Sequence, residues 1–153
     1  MYPVKQANKL GYDQLLWLDG CEFKYVHEIG TMNIFFVIDG TVITPSIDDG
    51  EILDGVTRDS AIRLLQDAGH KVEVRKVTID EVYDAYKAGK LEDAFGTGTA
   101  ATIAHIAEFG YNNDNLILPP VDERPVSNKL REDLDMIKRG RIEDKYDWLY
   151  QIS

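Results

Sequence analysis

Residues 33–44 place the strongest constraint on the fold of this chain. Residues 33–38 are almost entirely apolar, Asp39 and Gly40 follow, and residues 41–44 are again suited to a strand. An Asp-Gly pair readily adopts the positive φ angles that a two-residue hairpin turn requires. Pro45 cannot donate a hydrogen bond to a neighbouring strand, so it ends the pairing. The sequence therefore predicts a strongly apolar β-hairpin.

Helices and further strands are predicted on both sides of this hairpin. Four segments have helical periodicity or helix-end signals, such as glycine caps and the capping box that begins at Thr78: residues 4–10, 57–68, 78–89 and 125–140. Strands are expected at residues 14–18, near Tyr25 and at residues 72–74. Residues 100–108 fit either a helix or a strand. The chain is therefore predicted to be one mixed α/β domain, rich in β-structure and with several helices.

Length and composition exclude several classes of protein. The chain has 153 residues, of which 44% are apolar and 29% are charged, as is typical of a globular domain. Its net charge is −10 and its basic residues are scattered, so a nucleic-acid partner is not expected. No apolar run approaches the roughly eighteen residues that cross a bilayer, so no membrane segment is expected.

Cysteine and histidine content adds two expectations. Cys21 is the only cysteine, so no internal disulfide can form, and the first residues carry no apolar signal stretch. These features favour a cytoplasmic enzyme. His27, His70 and His105 lie far apart and lack the spacing of metal ligands, so no metal site is predicted.

A glycine-rich run at residues 95–101, FGTGTAA, matches the G-x-G-x-x-A form of a dinucleotide-binding loop. That motif requires a buried strand before it, whereas residues 91–94 are short and acidic. The context therefore favours a tight turn between two elements. Such a turn can still bind an anion, because small residues let backbone N–H groups converge and threonines add hydroxyls.

A second loop, residues 54–58, leads into the first helix after the hairpin. The N-terminus of a helix presents unpaired N–H donors and can hold a phosphate. The simpler interpretation is that Thr57 only caps its own helix. Two such loops in one small domain favour a shared phosphate site.

Glu28 stands between Val26 and Ile29 on the way into the hairpin. A charged residue at such a position is more often a solvent-facing strand residue than a functional carboxylate. The residue pattern alone favours the solvent-facing interpretation.

Four sequence blocks together resemble the branched-chain amino-acid aminotransferases: WLDG at residues 17–20, EIGTMNIFF at 28–36, GVTR at 55–58 and FGTGTA at 95–100. Their order and spacing match that family, and the resemblance covers essentially the whole chain. The EIGTMNIFF block is closer to it than to the related D-amino-acid aminotransferases and aminodeoxychorismate lyases. The resemblance implies the large C-terminal domain of the fold type IV architecture of pyridoxal-phosphate enzymes.

The same resemblance implies roles for individual residues. Glu28 is expected beside the pyridine nitrogen of pyridoxal 5'-phosphate, and Val56, Thr57 and Thr99 are expected to hold its phosphate. The residues implied near the substrate are Thr31, Met32, Thr99 and Ala100. The implied reaction transfers the amino group of leucine, isoleucine or valine to 2-oxoglutarate, and the implied assembly is a homodimer.

The catalytic residue of that family is expected outside this sequence. By the family's spacing, the lysine that forms the Schiff base with the cofactor would fall about eight residues before Met1. Lys5 and Lys9 lack the surrounding motif and are not expected to replace it. Residues 1–153 are therefore expected to be the cofactor-binding C-terminal half of a longer aminotransferase, without activity of their own. The alternative hypothesis is a nicotinamide-dependent oxidoreductase domain that uses FGTGTAA as its dinucleotide loop.

Overall fold

The computed structural model describes residues 2–150. Four α-helices lie in this part of the chain: α1 (Tyr2–Lys9), α2 (Val56–Asp67), α3 (Ile79–Lys87) and α4 (Pro125–Lys138). The strands are β1 (Leu16–Leu18), β2 (Val26–Ile29), β3 (Met32–Ile38), β4 (Thr41–Thr44), β5 (Lys71–Val74), β6 (Leu91–Thr97), β7 (Ile103–His105), β8 (Glu108–Tyr111) and β9 (Asp114–Ile117). A short 3₁₀ helix covers Val121–Glu123. The prediction of a mixed α/β domain is confirmed.

Strand β3 organises the main sheet. One of its edges pairs with β2 near its start and with β4 near its end, and β6 runs antiparallel along its other edge. The predicted hairpin is confirmed, because Ile38 pairs with Thr41 and the turn residues Asp39 and Gly40 have φ angles of 50° and 72°. Strand β1 extends the sheet beyond β2, β5 pairs in parallel with β4, and β7 pairs with β6.

Each face of this sheet covers a separate part of the core. On one face, Phe35 and Phe95 stack with ring centroids 5.1 Å apart and pack with α2 and α4 through Ala61 and Leu130. The opposite face packs against α3 and the β8–β9 hairpin; its buried residues include Ile34, Phe36, Val82, Phe109 and Leu116. Alternation along β3 therefore places Asn33 on the same face as Phe35.

Two predictions about residues 91–117 are corrected or resolved. The interpretation of residues 91–94 as too acidic for a buried strand is wrong, because they begin β6, in which Asp93 is 2% exposed. The ambiguous segment at residues 100–108 contains a strand, β7, and the start of β8. The β8–β9 hairpin was not predicted. Its turn residues Asn112 and Asn113 have φ angles of 51° and 61°.

The helix predictions are confirmed with end shifts of at most two residues. The capping box before α3 is present in part, since the Thr78 side chain accepts a hydrogen bond from the Glu81 N–H. Asp19 of the WLDG block has a structural role: its carboxylate accepts four backbone N–H donors, those of Cys21, Glu22, Lys24 and Tyr25. These donors, above all that of Glu22, hold the pKa of Asp19 well below its usual range. None of the helices between residues 2 and 150 has the length and apolar character needed to cross a membrane.

Candidate functional site

Two segments that are distant in sequence meet at one cavity of about 240 Å³. The first, called the helix loop, is residues 53–57 and leads into α2. The second, called the glycine turn, is residues 97–100 and joins β6 to β7. The cavity is lined by Thr31, Asn33, Leu53, Asp54, Gly55, Val56, Thr57, Thr97, Gly98 and Thr99. Three of the predicted phosphate ligands, Val56, Thr57 and Thr99, thus lie around the same space.

The N-terminus of α2 opens on this cavity. Gly55 occupies the N-cap position, and no side chain caps the helix. The interpretation that Thr57 serves as the cap is therefore wrong, because Thr57 lies within the first helical turn. The first N–H groups of a helix have no partners inside the helix, and the helix dipole adds positive potential there. This end of α2 can accept an anion.

Gly55 is packed against a buried side chain. A Cβ atom at this position would lie 2.2 Å from Oδ1 of Asn33, far inside the van der Waals limit. Only glycine therefore lets the helix loop lie this close to β3. The close contact places the start of α2 directly over the sheet.

Glu28 and Asn33 hold the helix loop through the backbone of Leu53. The two are cross-strand neighbours on β2 and β3. Oε1 of Glu28 accepts the N–H of Leu53 at 3.2 Å, and Nδ2 of Asn33 donates to its carbonyl at 2.8 Å. Glu28 is half-buried rather than fully solvent-facing. Its carboxylate therefore belongs to the structure around the cavity, although Glu28 does not line it.

Arg58, the residue that follows the helix loop, helps to hold this loop in place. Its side chain is 4% exposed, and Nη2 donates to the carbonyl of Pro45 at 2.9 Å. Burial lowers the pKa of the guanidinium, and the charges of Asp54 and Asp59 oppose that shift. The arginine thus fixes the loop between β4 and α2 through Pro45.

The glycine turn is not followed by a helix. A dinucleotide-binding loop needs a strand before it and a helix after it. Strand β6 does precede the turn, contrary to the prediction, but the chain then returns as β7, with Thr97 paired to Ile103. This geometry does not fit the nicotinamide hypothesis.

The predicted substrate residues are placed differently from one another. Thr31 and Thr99 line the cavity. The Met32 side chain packs with the core on the α3 face, where its Cγ would lie 3.0 Å from a Cβ built at Gly98. Ala100 lines a separate surface groove beside α4. The roles given to Met32 and Ala100 stay predictions.

Three residues of the cavity wall were not singled out from the sequence: Asn33, Leu53 and Thr97. Asn33 offered a signal, because an amide within an otherwise apolar strand needs a hydrogen-bond partner. The Thr97 hydroxyl is buried and has no partner among the described residues. Leu53 is 68% exposed, and nothing in its local sequence marks it. Within residues 2–150, no group of three or more potential ligand side chains is arranged to hold a metal ion.

Comparison with known sequences identifies relatives along nearly the whole chain. The chain is 46% identical over 146 residues to the probable branched-chain-amino-acid aminotransferase of Staphylococcus epidermidis, covering 95% of this chain and 40% of that protein. It is 42% identical over 147 residues to branched-chain-amino-acid aminotransferase 2 of Bacillus subtilis, again covering 40% of the relative. The chain thus spans about two fifths of the length of these curated relatives.

Solved structures show the same fold. A branched-chain aminotransferase from Thermoproteus uzoniensis with norvaline superposes with a TM-score of 0.78 at 31% identity, over 96% of this chain and 44% of that one. The branched-chain amino acid aminotransferase from Thermobaculum terrenum in its PLP-form gives a TM-score of 0.73 at 31% identity, over 91% of this chain and 41% of that one. Residues 1–109 match the family described as amino-transferase class IV. This chain therefore belongs to the class IV aminotransferases.

Proposed function

We propose that this chain forms the pyridoxal-phosphate-binding part of a branched-chain amino-acid aminotransferase. The observation that carries the proposal is the meeting of the helix loop and the glycine turn at one cavity, beside the open N-terminus of α2. The sequence relatives and solved structures that match this chain are named as branched-chain aminotransferases, which supports the substrate class.

The residues around the cavity fit the phosphate of pyridoxal 5'-phosphate. The uncapped first turn of α2 offers main-chain N–H donors at Val56 and Thr57, and the dipole of a twelve-residue helix favours a negative charge there. Thr57 in the helix loop and Thr99 in the glycine turn both line the cavity, and their hydroxyls would add further donors. Gly55 lets the helix loop lie directly against Asn33, because a Cβ atom there would come within 2.2 Å of Oδ1. Val56, Thr57 and Thr99 would therefore hold the phosphate.

Glu28 is proposed to face the ring nitrogen of the cofactor. Its carboxylate is held by the Leu53 N–H, and Leu53 itself forms an exposed apolar wall of the cavity. A carboxylate beside a pyridine nitrogen favours the protonated ring. When bound, the cofactor supplies an electron sink for the Cα atom of an amino acid. The role of Glu28 is to keep the proton on the ring nitrogen.

The substrate side of the site follows from the same assignment. Thr31, Met32, Thr99 and Ala100 are proposed to lie near the amino acid, with the main chain of Thr99 and Ala100 directed to its carboxylate. Leucine, isoleucine or valine would donate the amino group, and 2-oxoglutarate would accept it. We further propose that the full-length protein is a homodimer, as the family resemblance implies, and that it is cytoplasmic.

The 153-residue chain by itself is expected to bind the cofactor without catalysing transamination. The cavity wall formed by the described residues contains no lysine, and Lys5 and Lys9 lie exposed on and at the end of α1. Nucleophilic catalysis by an amine requires a lysine at the site. Borohydride reduction after incubation with the cofactor should therefore leave no stoichiometric label at one lysine. Turnover of leucine by the chain would contradict this expectation.

Titration of the ¹⁵N-labelled chain with pyridoxal 5'-phosphate tests the cavity assignment. Amide shifts should cluster at Val56, Thr57, Gly98 and Thr99, and pyridoxal, which lacks the phosphate, should cause much smaller changes at the same residues. Thr57→Val should weaken binding, whereas the control Thr41→Val, outside the cavity, should not. Shifts that spread evenly or follow the surface lysines would overturn the proposal.

A further inference from the structure

Asn33 is a buried amide in an apolar strand. It is 4% exposed, and the residues that follow it on β3, Ile34 and Phe35, are fully buried. Burying an amide costs free energy unless its polar atoms find hydrogen-bond partners. The position of its partner therefore shows what the residue holds in place.

That partner belongs to the helix loop. Nδ2 of Asn33 donates to the carbonyl of Leu53 at 2.8 Å. Leu53 lies two residues before Gly55, the N-cap residue of α2. Oδ1 of Asn33 lies against Gly55, where even a methyl group could not be inserted. The amide thus restrains the loop both by a hydrogen bond and by direct packing.

The backbone of the same residue is tied to the second segment. Asn33 pairs across the sheet with Thr97, the first residue of the glycine turn. One residue therefore connects the two walls of the cavity, the helix loop through its side chain and the glycine turn through its strand. The same pair of strands continues two residues further on with the buried Phe35 stacked on Phe95.

We propose that Asn33 is a positioning residue that sets the separation between the helix loop and the glycine turn, so that both can contact one phosphate group. This inference rests on the proposed function, in which Val56 and Thr57 bind the phosphate from one side and Thr99 binds it from the other. A phosphate bound by donors on both walls requires a fixed distance between them. Without the amide, the helix loop keeps its N–H donors, but its position relative to the glycine turn is no longer fixed.

The test compares two hydrogen bonds of equal length, each donated by a buried side chain. Asn33→Leu keeps a similar volume and removes the bond to Leu53. The control, Thr44→Val, removes the 2.8 Å bond from the buried Thr44 hydroxyl to the Ile34 carbonyl, on the neighbouring strand and outside the cavity wall. Both variants should lower the Tm. Binding of pyridoxal 5'-phosphate and of pyridoxal is then measured by calorimetry at a temperature where all proteins are folded.

Asn33→Leu is expected to weaken binding of pyridoxal 5'-phosphate at least tenfold and to reduce its preference over pyridoxal, while Thr44→Val leaves both unchanged. Hydrogen exchange at the Leu53 N–H should accelerate only in Asn33→Leu. Equal effects of the two variants, or no effect of either on binding, would overturn the inference. If Asn33→Leu does not fold, Asn33→Ala is judged by the same criteria.

The outcome also separates this inference from the proposed function. If the unmodified chain binds pyridoxal 5'-phosphate at the cavity but Asn33→Leu binds it equally well, the positioning role alone is overturned. If the unmodified chain binds neither pyridoxal 5'-phosphate nor inorganic phosphate there, the proposed cofactor site is overturned and the positioning role with it.

Discussion

Helices α2 and α3 begin in opposite ways. The Thr78 side chain caps α3 by accepting the Glu81 N–H at 3.1 Å, and its first turn carries Asp80 as well as Glu81. The N-cap residue of α2 is Gly55, which has no side chain that could accept such a bond. The chain thus satisfies one helix N-terminus from its own residues and leaves the other without a side-chain cap.

The difference indicates what each helix end is available for. At α3 an external anion would have to displace the Thr78 hydroxyl, which is unfavourable, whereas acidic residues stand in the first turn of both helices. At α2 the donors open on the cavity beside the glycine turn, so an anion can bind without displacing a capping group. Stability is therefore favoured at the N-terminus of α3 and ligand binding at that of α2, and three pairs of variants test this contrast.

The largest effect is expected from Gly55→Ala. The backbone angles of Gly55, φ −79° and ψ 126°, suit alanine, but the added Cβ would lie 2.2 Å from Oδ1 of Asn33. Overpacking should lower the free energy of unfolding by about 1–3 kcal/mol, and displacement of the helix loop should weaken cofactor binding roughly a hundredfold. Urea unfolding and calorimetry measure the two effects.

Gly20→Ala is the matched control for this substitution. No atom lies within 4 Å of a Cβ at Gly20, so stability and binding should both stay nearly unchanged. Similar behaviour of the two alanine variants would show that the contact between Gly55 and Asn33 does not govern the cavity.

The parts of the fold that depend on local chemistry were predictable from the sequence. The Asp39-Gly40 turn and the Thr78 cap are each determined within a few residues, and both are found as expected. Strand β6 was not predictable in this way. Asp93 is tolerated in its buried position because Arg124 lies 3.6 Å away and the Ser127 N–H donates to it, and both partners come from much later in the chain.

The candidate site likewise combines residues that could be predicted from local sequence with residues that could not. The two segments proposed to bind the phosphate were recognisable as short motifs, and the structure places them at one cavity. Asn33 and Leu53 were not recognisable as parts of a short motif, because their roles depend on contacts between strand β3 and a loop that follows β4. The simpler interpretation of Thr57 as a cap fails because the N-cap lies two residues earlier, at Gly55.

The next largest effects are expected from alanine substitutions of two threonines, Thr78 at the start of α3 and Thr57 at the start of α2. Thr78→Ala should cost about 1 kcal/mol of unfolding free energy through loss of the cap and leave cofactor binding unchanged. Thr57→Ala should change stability by less than about 0.5 kcal/mol and weaken binding roughly tenfold. Thermal unfolding and calorimetry on both variants are required. If Thr57→Ala destabilises the chain as Thr78→Ala does, the contrast between the helices is wrong.

The smallest effect is expected from Val56→Asp. Val56 is 83% exposed at the first position of α2. A carboxylate there should stabilise the helix by about 0.3–1 kcal/mol through the dipole and weaken cofactor binding several-fold through repulsion of the phosphate. The neutral control Val56→Asn should not repel the phosphate. The loss of binding should shrink in high salt, and equal binding by both variants would contradict an anion site.

A crystal structure of the chain with pyridoxal 5'-phosphate tests the central claim most directly. The phosphate is predicted to lie between the helix loop and the glycine turn, bound by the main-chain N–H groups of Val56 and Thr57 and by the hydroxyl groups of Thr57 and Thr99. The ring nitrogen is predicted to face Glu28. A phosphate held by surface lysines, or bound in the groove beside α4 with both loops unchanged and unoccupied, would contradict the account.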